Sequence, residues 1–252
     1  MRKVSIIAPI GNSPPVITEF LQYVEGVLDQ RVTDLTIITT REPLVLEGLE
    51  PVKAGIADRY PNVHVHVVEL PNDDVDSEER STDFMGVATR ILRDQKGKYG
   101  AEFVHLCVSG ERKQIYTIIS LLAQFYDVNG VYHVVMPDVW NFNQQLKRIR
   151  YEAKEFANTE DKLGYYRQKK ALLEPVLSPE LSAYNNIIKL PAIPYPMRTL
   201  IVIKQRKFPL KSIDMDIAFQ LRDLEYICIT RNHAYTFTDG ERLYSIIGSV
   251  AG

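Results

Sequence analysis

Two short segments of the chain carry residue types at spacings that could do chemistry. In His105-Leu-Cys-Val-Ser-Gly-Glu-Arg-Lys-Gln-Ile-Tyr-Thr-Ile-Ile-Ser120 an apolar run ends at Ser109-Gly110, and a helical pattern begins directly after Arg112 and Lys113. This reads as a buried strand turning sharply into a helix, with a lysine at the turn. The first N–H groups of a helix have no intrahelical acceptor, and the helix dipole favours negative charge beside them. A lysine brings a full charge on a flexible stem, although a cation in a first turn opposes the dipole. A bound phosphate removes that conflict, so phosphate is the ligand this combination suits.

The second segment opens the chain. Val4-Ser-Ile-Ile-Ala-Pro9 reads as a strand, Gly11-Asn-Ser-Pro-Pro15 as a turn, and Val16 to Val24 as a helix. Pro15 suits a helix start, where its missing N–H is not needed. Asn12 or Ser13 could cap that helix or donate to a ligand.

The elements that position these turns alternate along the chain. Strand-like runs lie at Val4–Pro9, Val32–Thr39, Val63–Leu70, Phe103–Val108 and Tyr132–Met136, with helical patterns at Val16–Leu28, Pro43–Arg59, Glu78–Lys96 and Lys113–Tyr126 between them. Such alternation predicts an α/β fold with a mainly parallel, doubly wound sheet. Ligands bind such sheets outside the carboxyl ends of the strands, where strand order reverses. Both turns follow strand ends and can share one crevice, with Thr39-Thr40-Arg41 on the same edge. From Trp140 to Glu174 alternating charges predict a solvated or dimer-bridging helical segment, and a proline-rich connector with one strand at Ile187–Leu190 follows. The expected division is therefore a domain over 1–139, a helical and proline-rich connector over 140–198 that is part of that domain or of a dimer interface, and a small domain over 199–252.

Composition narrows the function classes. Among 252 residues the net charge is −2, so any anion site is local rather than a global field. The two cysteines, Cys107 and Cys228, support neither a disulfide framework nor a cysteine metal site and suit the cytoplasm. No apolar run reaches the length of a membrane span. No G-x-G-x-x-G follows a strand, so no dinucleotide cofactor is expected. His64 and His66 share a sheet face, but the sequence places no third ligand, so they read as packing residues and no metal is expected.

Gly11-Asn-Ser-Pro-Pro-Val-Ile-Thr-Glu19 and Ser109-Gly-Glu-Arg-Lys113 resemble the two signature segments of CARF domains, the CRISPR-associated Rossmann-like folds. The first is similar to that family's glycine-x-serine-proline turn with its Thr-Glu pair, the second to its Ser-Gly-Gly-Arg-Lys turn, and Tyr132-His-Val-Val135 to the strand that follows. Glu111 departs from the pattern by replacing the second glycine; beside a phosphate, a carboxylate must point away or pair with Arg112. The resemblance covers about the first 140 residues and implies a Rossmann-like fold that binds cyclic oligoadenylate messengers of type III CRISPR defence. Residues Asp216 to Leu243 partly resemble the end of a winged-helix domain. Many CARF proteins carry a ribonuclease marked by Arg-x-x-x-x-His on a helix; here that spacing occurs at Arg59 and His64, with Pro61 between, which precludes a helix.

Two functions follow from the resemblance. The first is a ring nuclease, an enzyme that cleaves cyclic tetra-adenylate without a metal and switches the response off. Lys113 and Ser13 would be its catalytic residues, and Gly11, Asn12, Thr39, Ser109, Gly110, Glu111, Arg112 and Gln114 would bind the ligand within a homodimer. The second is a messenger-responsive transcription regulator. Against it, the helix expected at Ser212–Leu224 holds Asp214, Asp216 and Asp223, which phosphates repel, so duplex binding is not expected despite Lys204, Arg206, Lys207 and Lys211 nearby.

Overall fold

The computed structural model describes residues 2–71, 74–110, 112–124, 126, 128–135, 139–179, 187–190, 207–223 and 226–236. Every residue of β1 (Val4–Pro9) is buried, as befits a strand covered on both faces. It is followed by α1 (Pro15–Gly26), β2 (Val32–Thr39), α2 (Pro43–Arg59), β3 (His64–Glu69), α3 (Glu78–Gly97), β4 (Phe103–Cys107), α4 (Lys113–Ala123) and β5 (Gly130–Val134). These five strands are parallel, in the order β3-β2-β1-β4-β5, and β6 (Ile187–Leu190) adds an antiparallel edge beside β5. The fold is the expected Rossmann-like, mainly parallel α/β sheet. The fifth strand starts two residues before the expected Tyr132, and Met136 lies outside the described residues.

Neighbouring residues along each strand feed opposite faces. Ile6 and Ala8 of β1, with Leu35 and Ile37 of β2, pack with Phe20 and Leu21 of α1. Ile7, Ile38 and Leu106 instead pack with Phe84 of α3 and Ile115 and Ile119 of α4. Burying each of the Ile, Leu and Phe side chains among them contributes about 1.5–3 kcal/mol.

The region after Asp138 packs within the first unit, one of the two placements expected of it. It forms α5 (Val139–Asn158), α6 (Lys162–Gln168) and α7 (Lys170–Leu177), which pack beside α2. Ile149, Phe156 and Tyr166 are buried in the same core as α1 and α2. An apolar stripe at helical spacing lies beneath the alternating charges, and burial of that stripe decides where these helices go. They belong to a first compact unit, Met1–Leu190.

The second unit is Pro191–Gly252. Its described part holds β7 (Lys207–Pro209), α8 (Met215–Asp223), β8 (Ile227–Ile229) and β9 (His233–Thr236), with an antiparallel sheet in the order β7-β9-β8. Phe208, Ile217, Leu221, Ile227 and Ala234 form its core. The helix starts later than Ser212 because Leu210–Ser212 is a 3-10 turn. A helix followed by two antiparallel strands is the arrangement a wing requires. Thr199–Ile203, Lys204, Arg206 and residues 237–252 lie outside the described residues.

Candidate functional site

The strand pairing brings the two turns together. Ile7 of β1 lies opposite Leu106 of β4, so both strands end on the same edge as neighbours. From β1 the chain runs outward through β2 and β3, and it returns on the other side of β1 through β4. Residues 10–14 and 108–110 thus flank the point where strand order reverses.

At the β4–α4 turn, Gly110 has φ +133°, a conformation L side chains avoid, and a Cβ there would collide with the Tyr116 ring. The turn can therefore be tight only with glycine. Arg112 is the N-cap of α4 and its side chain makes no cap hydrogen bond, so among the described residues no side-chain cap occupies the first N–H groups of the helix. Lys113, the first helical residue, is exposed, as are Gln114 and Gly110.

At the β1–α1 turn, Gly11 is buried, Asn12 exposed and Ser13 half-buried. The N-cap of α1 is Pro14, which has no side-chain acceptor, so neither Asn12 nor Ser13 occupies the cap position. The Ser13 carbonyl accepts the Val16 N–H at 3.3 Å, which leaves the hydroxyl outside the helix's own bonding.

Three expected ligand contacts point inward instead. The Ser109 hydroxyl oxygen accepts the Val134 N–H at 2.5 Å and the Cys107 thiol at 3.6 Å, which ties the turn to β5. Thr39 is buried and donates to the Thr40 carbonyl at 3.1 Å. Arg112 is only 8 % exposed, and its guanidinium pairs with Glu42, the N-cap of α2, and with Asp74 at 3.1 Å. A pairing of Arg112 with Glu111 falls on a residue outside the described ones. Arg112 joins the loops that follow β2, β3 and β4, and its charge is met by two carboxylates. Lys113 next to it points to solvent with its charge available.

Sequence reasoning missed the acids. Glu42 and Asp74 sit on loops whose convergence only the topology reveals. Glu19, one turn into α1, is 1 % exposed and neither carboxyl oxygen has a hydrogen bond. Burial raises its pKa to about 7. The signal available was α1 itself, whose residues Pro15 to Gln22 are buried all round. The Cys107 thiol is pushed up to about 12, chiefly by burial, and is no nucleophile. His105 donates or accepts at 2.7 Å with Gln30, and burial first, then Lys189, depresses its pKa to about 4.

Of the two histidines on β3, His66 packs, bonding Asp34 at 2.9 Å and stacking on Tyr99 with ring centroids 4.2 Å apart, whereas His64 is exposed. Among the described residues no group of three His, Cys, Asp or Glu could hold a metal ion, and no helix is long and apolar enough to cross a membrane. Arg59 ends α2 and His64 begins β3, so they share no helix.

The family model of the CRISPR-associated protein NE0113 matches residues 13–201, from the β1–α1 turn through β6. The chain belongs to this CRISPR-associated family. Family and topology together make it a CRISPR-associated protein with a Rossmann-like fold, which is what the two signature turns resemble. Comparison with curated proteins gives no match. Among solved structures, the chain is similar to Enterococcus italicus Csm6 bound to cyclic hexa-2′-fluoro-hexa-dAMP, at 14 % identity and a TM-score of 0.48, over 100 % of this chain and 53 % of that one. It is also similar to protein VC1899 from Vibrio cholerae, at 8 % identity and a TM-score of 0.39, over 96 % of this chain and 64 % of that one. The chain thus spans less than two thirds of either.

Proposed function

We propose that this member of the family is a ring nuclease that binds cyclic tetra-adenylate at the β1/β4 switch point and cleaves it without a metal. The observation that carries the reading is the meeting of the two signature turns at that point, with Lys113 exposed on the uncapped start of α4. A ribose 2′-OH attacks the adjacent phosphorus in line, the 5′ oxygen leaves, and a linear adenylate with a 2′,3′-cyclic phosphate and a free 5′-OH results. The nucleophile is internal to the ligand, so the protein has only to hold the in-line geometry and stabilise the added negative charge. Lys113 and the open N–H groups of α4 meet that charge, and the Ser13 hydroxyl orients the phosphate or ribose. Gly11 and Gly110 let backbone approach the ligand, while Asn12 and Gln114 lie at its margin. Ser109, Thr39 and Arg112 shape the loops from within.

A ring of four nucleotides has two-fold symmetry, which two copies of one crevice related by a C2 axis match. The protein therefore acts as a homodimer in the cytoplasm, and removal of the messenger ends the antiviral response. The regulator reading is weaker, because the first turn of α8 carries Asp216, with Asp214 before it and Asp223 at its end. Incubation of purified protein with labelled cyclic tetra-adenylate in EDTA tests the proposal: a linear product ending in a cyclic phosphate is expected. Loss of cleavage on chelation, restored by magnesium or manganese, overturns the metal-free chemistry. Intact ligand bound to the protein together with a promoter duplex establishes the regulator instead.

A further inference from the structure

Between α2 and α5, beside the β1–α1 turn, lies a cavity of about 320 Å³. That volume is at the lower end of the about 300–1,000 Å³ range of small-molecule pockets, a size for one ring system rather than a whole oligonucleotide. Its floor is apolar, from Pro14 of the turn, Leu146 and Ile149 of α5 and Leu177 of α7. Gly48 of α2 keeps it next to the turn: a Cβ there would lie 2.5 Å from the Pro14 ring, so α2 closes on Pro14 only with glycine. Asn12, exposed on the same turn, also lines it, so the cavity borders the β1–α1 turn.

One wall has an unusual acceptor. Pro51 lies inside α2 and has no N–H to close on the carbonyl of Glu47, four residues earlier. Both residues line the cavity. The helical ladder thus gives the Glu47 carbonyl no donor at residue 51, and a donor from a ligand is worth most where the surroundings are apolar. The Glu47 carboxylate does not make this wall anionic, since Arg150 at 3.6 Å and Lys154 at 3.8 Å pair with it. A flat apolar ring with one exocyclic N–H donor, such as adenine, fits this lining.

We propose that the cavity is the base pocket of this site, taking one adenine of the ligand, with the Glu47 carbonyl accepting from its exocyclic amine. The inference rests on the crevice at the β1–α1 turn being the nucleotide site. It assigns Pro51 as a specificity residue, because the proline frees the acceptor. Purine ribonucleotides without the 6-amino group, such as inosine 5′-monophosphate, lose that bond and place an oxygen against the carbonyl.

The test uses the whole chain and two probes. Titration of adenosine 5′-monophosphate into methyl-labelled protein should shift the methyl resonances of Leu146, Ile149 and Leu177, and inosine 5′-monophosphate should do so at least 10-fold more weakly. Pro51→Ala restores the helix's own N–H donor and should not impair folding, yet it should reduce that discrimination to about 2-fold. Ala153→Trp, which fills the cavity from α5, should weaken cyclic tetra-adenylate binding at least 10-fold while the variant keeps the wild-type melting temperature within a few degrees. If adenosine 5′-monophosphate leaves these methyls unmoved, or P51A keeps the full preference for adenine, the base pocket is refuted. Wild-type protein that fails to bind cyclic tetra-adenylate refutes the ring-nuclease reading, and the monophosphate titration then decides the pocket by itself.

Discussion

The two turns at the switch point solve one problem in opposite ways. The β4–α4 turn is held by charge: a buried arginine reaches carboxylates on two other loops, and a serine ties the backbone to β5. The β1–α1 turn is held by packing: Pro14 and Pro15 are buried, and Gly48 of α2 closes on the Pro14 ring. In each case the residues that fix the loop are distinct from those that face solvent. Lys113 beside Arg112, and Ser13 beside Pro14, are the groups left for a ligand. A signature motif therefore mixes two kinds of residue, and position in the motif does not separate them.

The largest effect should come from the exposed cation. Lys113→Ala should lower cleavage of cyclic tetra-adenylate about 100-fold, with a smaller loss of binding, if it meets charge that develops in the transition state. Single-turnover assays beside equilibrium binding separate the two. A variant that cleaves at the wild-type rate removes Lys113 from the mechanism and leaves the β4–α4 turn a purely structural device.

Arg112→Ala should follow, with about 30-fold loss shared between binding and cleavage, because the turn shifts rather than loses its cation. Its signature is partial rescue: Glu42→Gln or Asp74→Asn in the Arg112→Ala background should recover part of the loss by removing a carboxylate left without its partner. Rates that fall as with Lys113→Ala, at unchanged affinity and without rescue, would place Arg112 on the ligand and break the contrast drawn here. Ser13→Ala comes next, at about 10-fold in cleavage, since a positioning hydroxyl carries no charge. A loss as large as that of Lys113→Ala would give the β1–α1 turn a chemical share equal to its neighbour's.

How much of this was legible in the sequence follows from the range of the interactions. The sheet was legible because each strand is a short apolar run and each helix has its own period, both local signals; β2, α2 and β6 fall on the expected boundaries. Placement of the turns side by side followed from the topological rule for parallel sheets. The packing of α5 to α7 on α2 was not legible, because surface charges outnumber the stripe that decides their position. The Arg112–Glu42–Asp74 cluster was beyond reach for a different reason: its members are far apart in sequence, and nothing in a single loop names its partner.

The smallest effect expected is that of pH on wild-type stability, and the two turns explain why. Each rests on a buried titratable group: Glu19 in the first helix after the β1–α1 turn, and His105 in the strand before the β4–α4 turn. The Glu19 carboxyl is raised from 4.5 to about 7, so between those values the native state holds a proton that the unfolded chain has lost, and stability falls as pH rises. His105 is lowered from 6.5 to about 4, so over nearly the same range the native state lacks a proton that the unfolded chain has gained, and stability rises with pH. The slopes oppose one another and largely cancel between about pH 4.5 and 6.5. Glu19→Gln removes one of them. The variant should become steadily less stable as pH falls through that window, by up to about 1.4 kcal/mol per pH unit, while the wild type stays nearly level. His105→Gln should tilt the other way and lose stability as pH rises from 4.5 to 7. Urea unfolding at a series of pH values between 4.5 and 7.5 measures both slopes. Parallel curves for wild type and Glu19→Gln would show that the carboxyl is ionised in the native state and that the packing beneath the β1–α1 turn admits a charge.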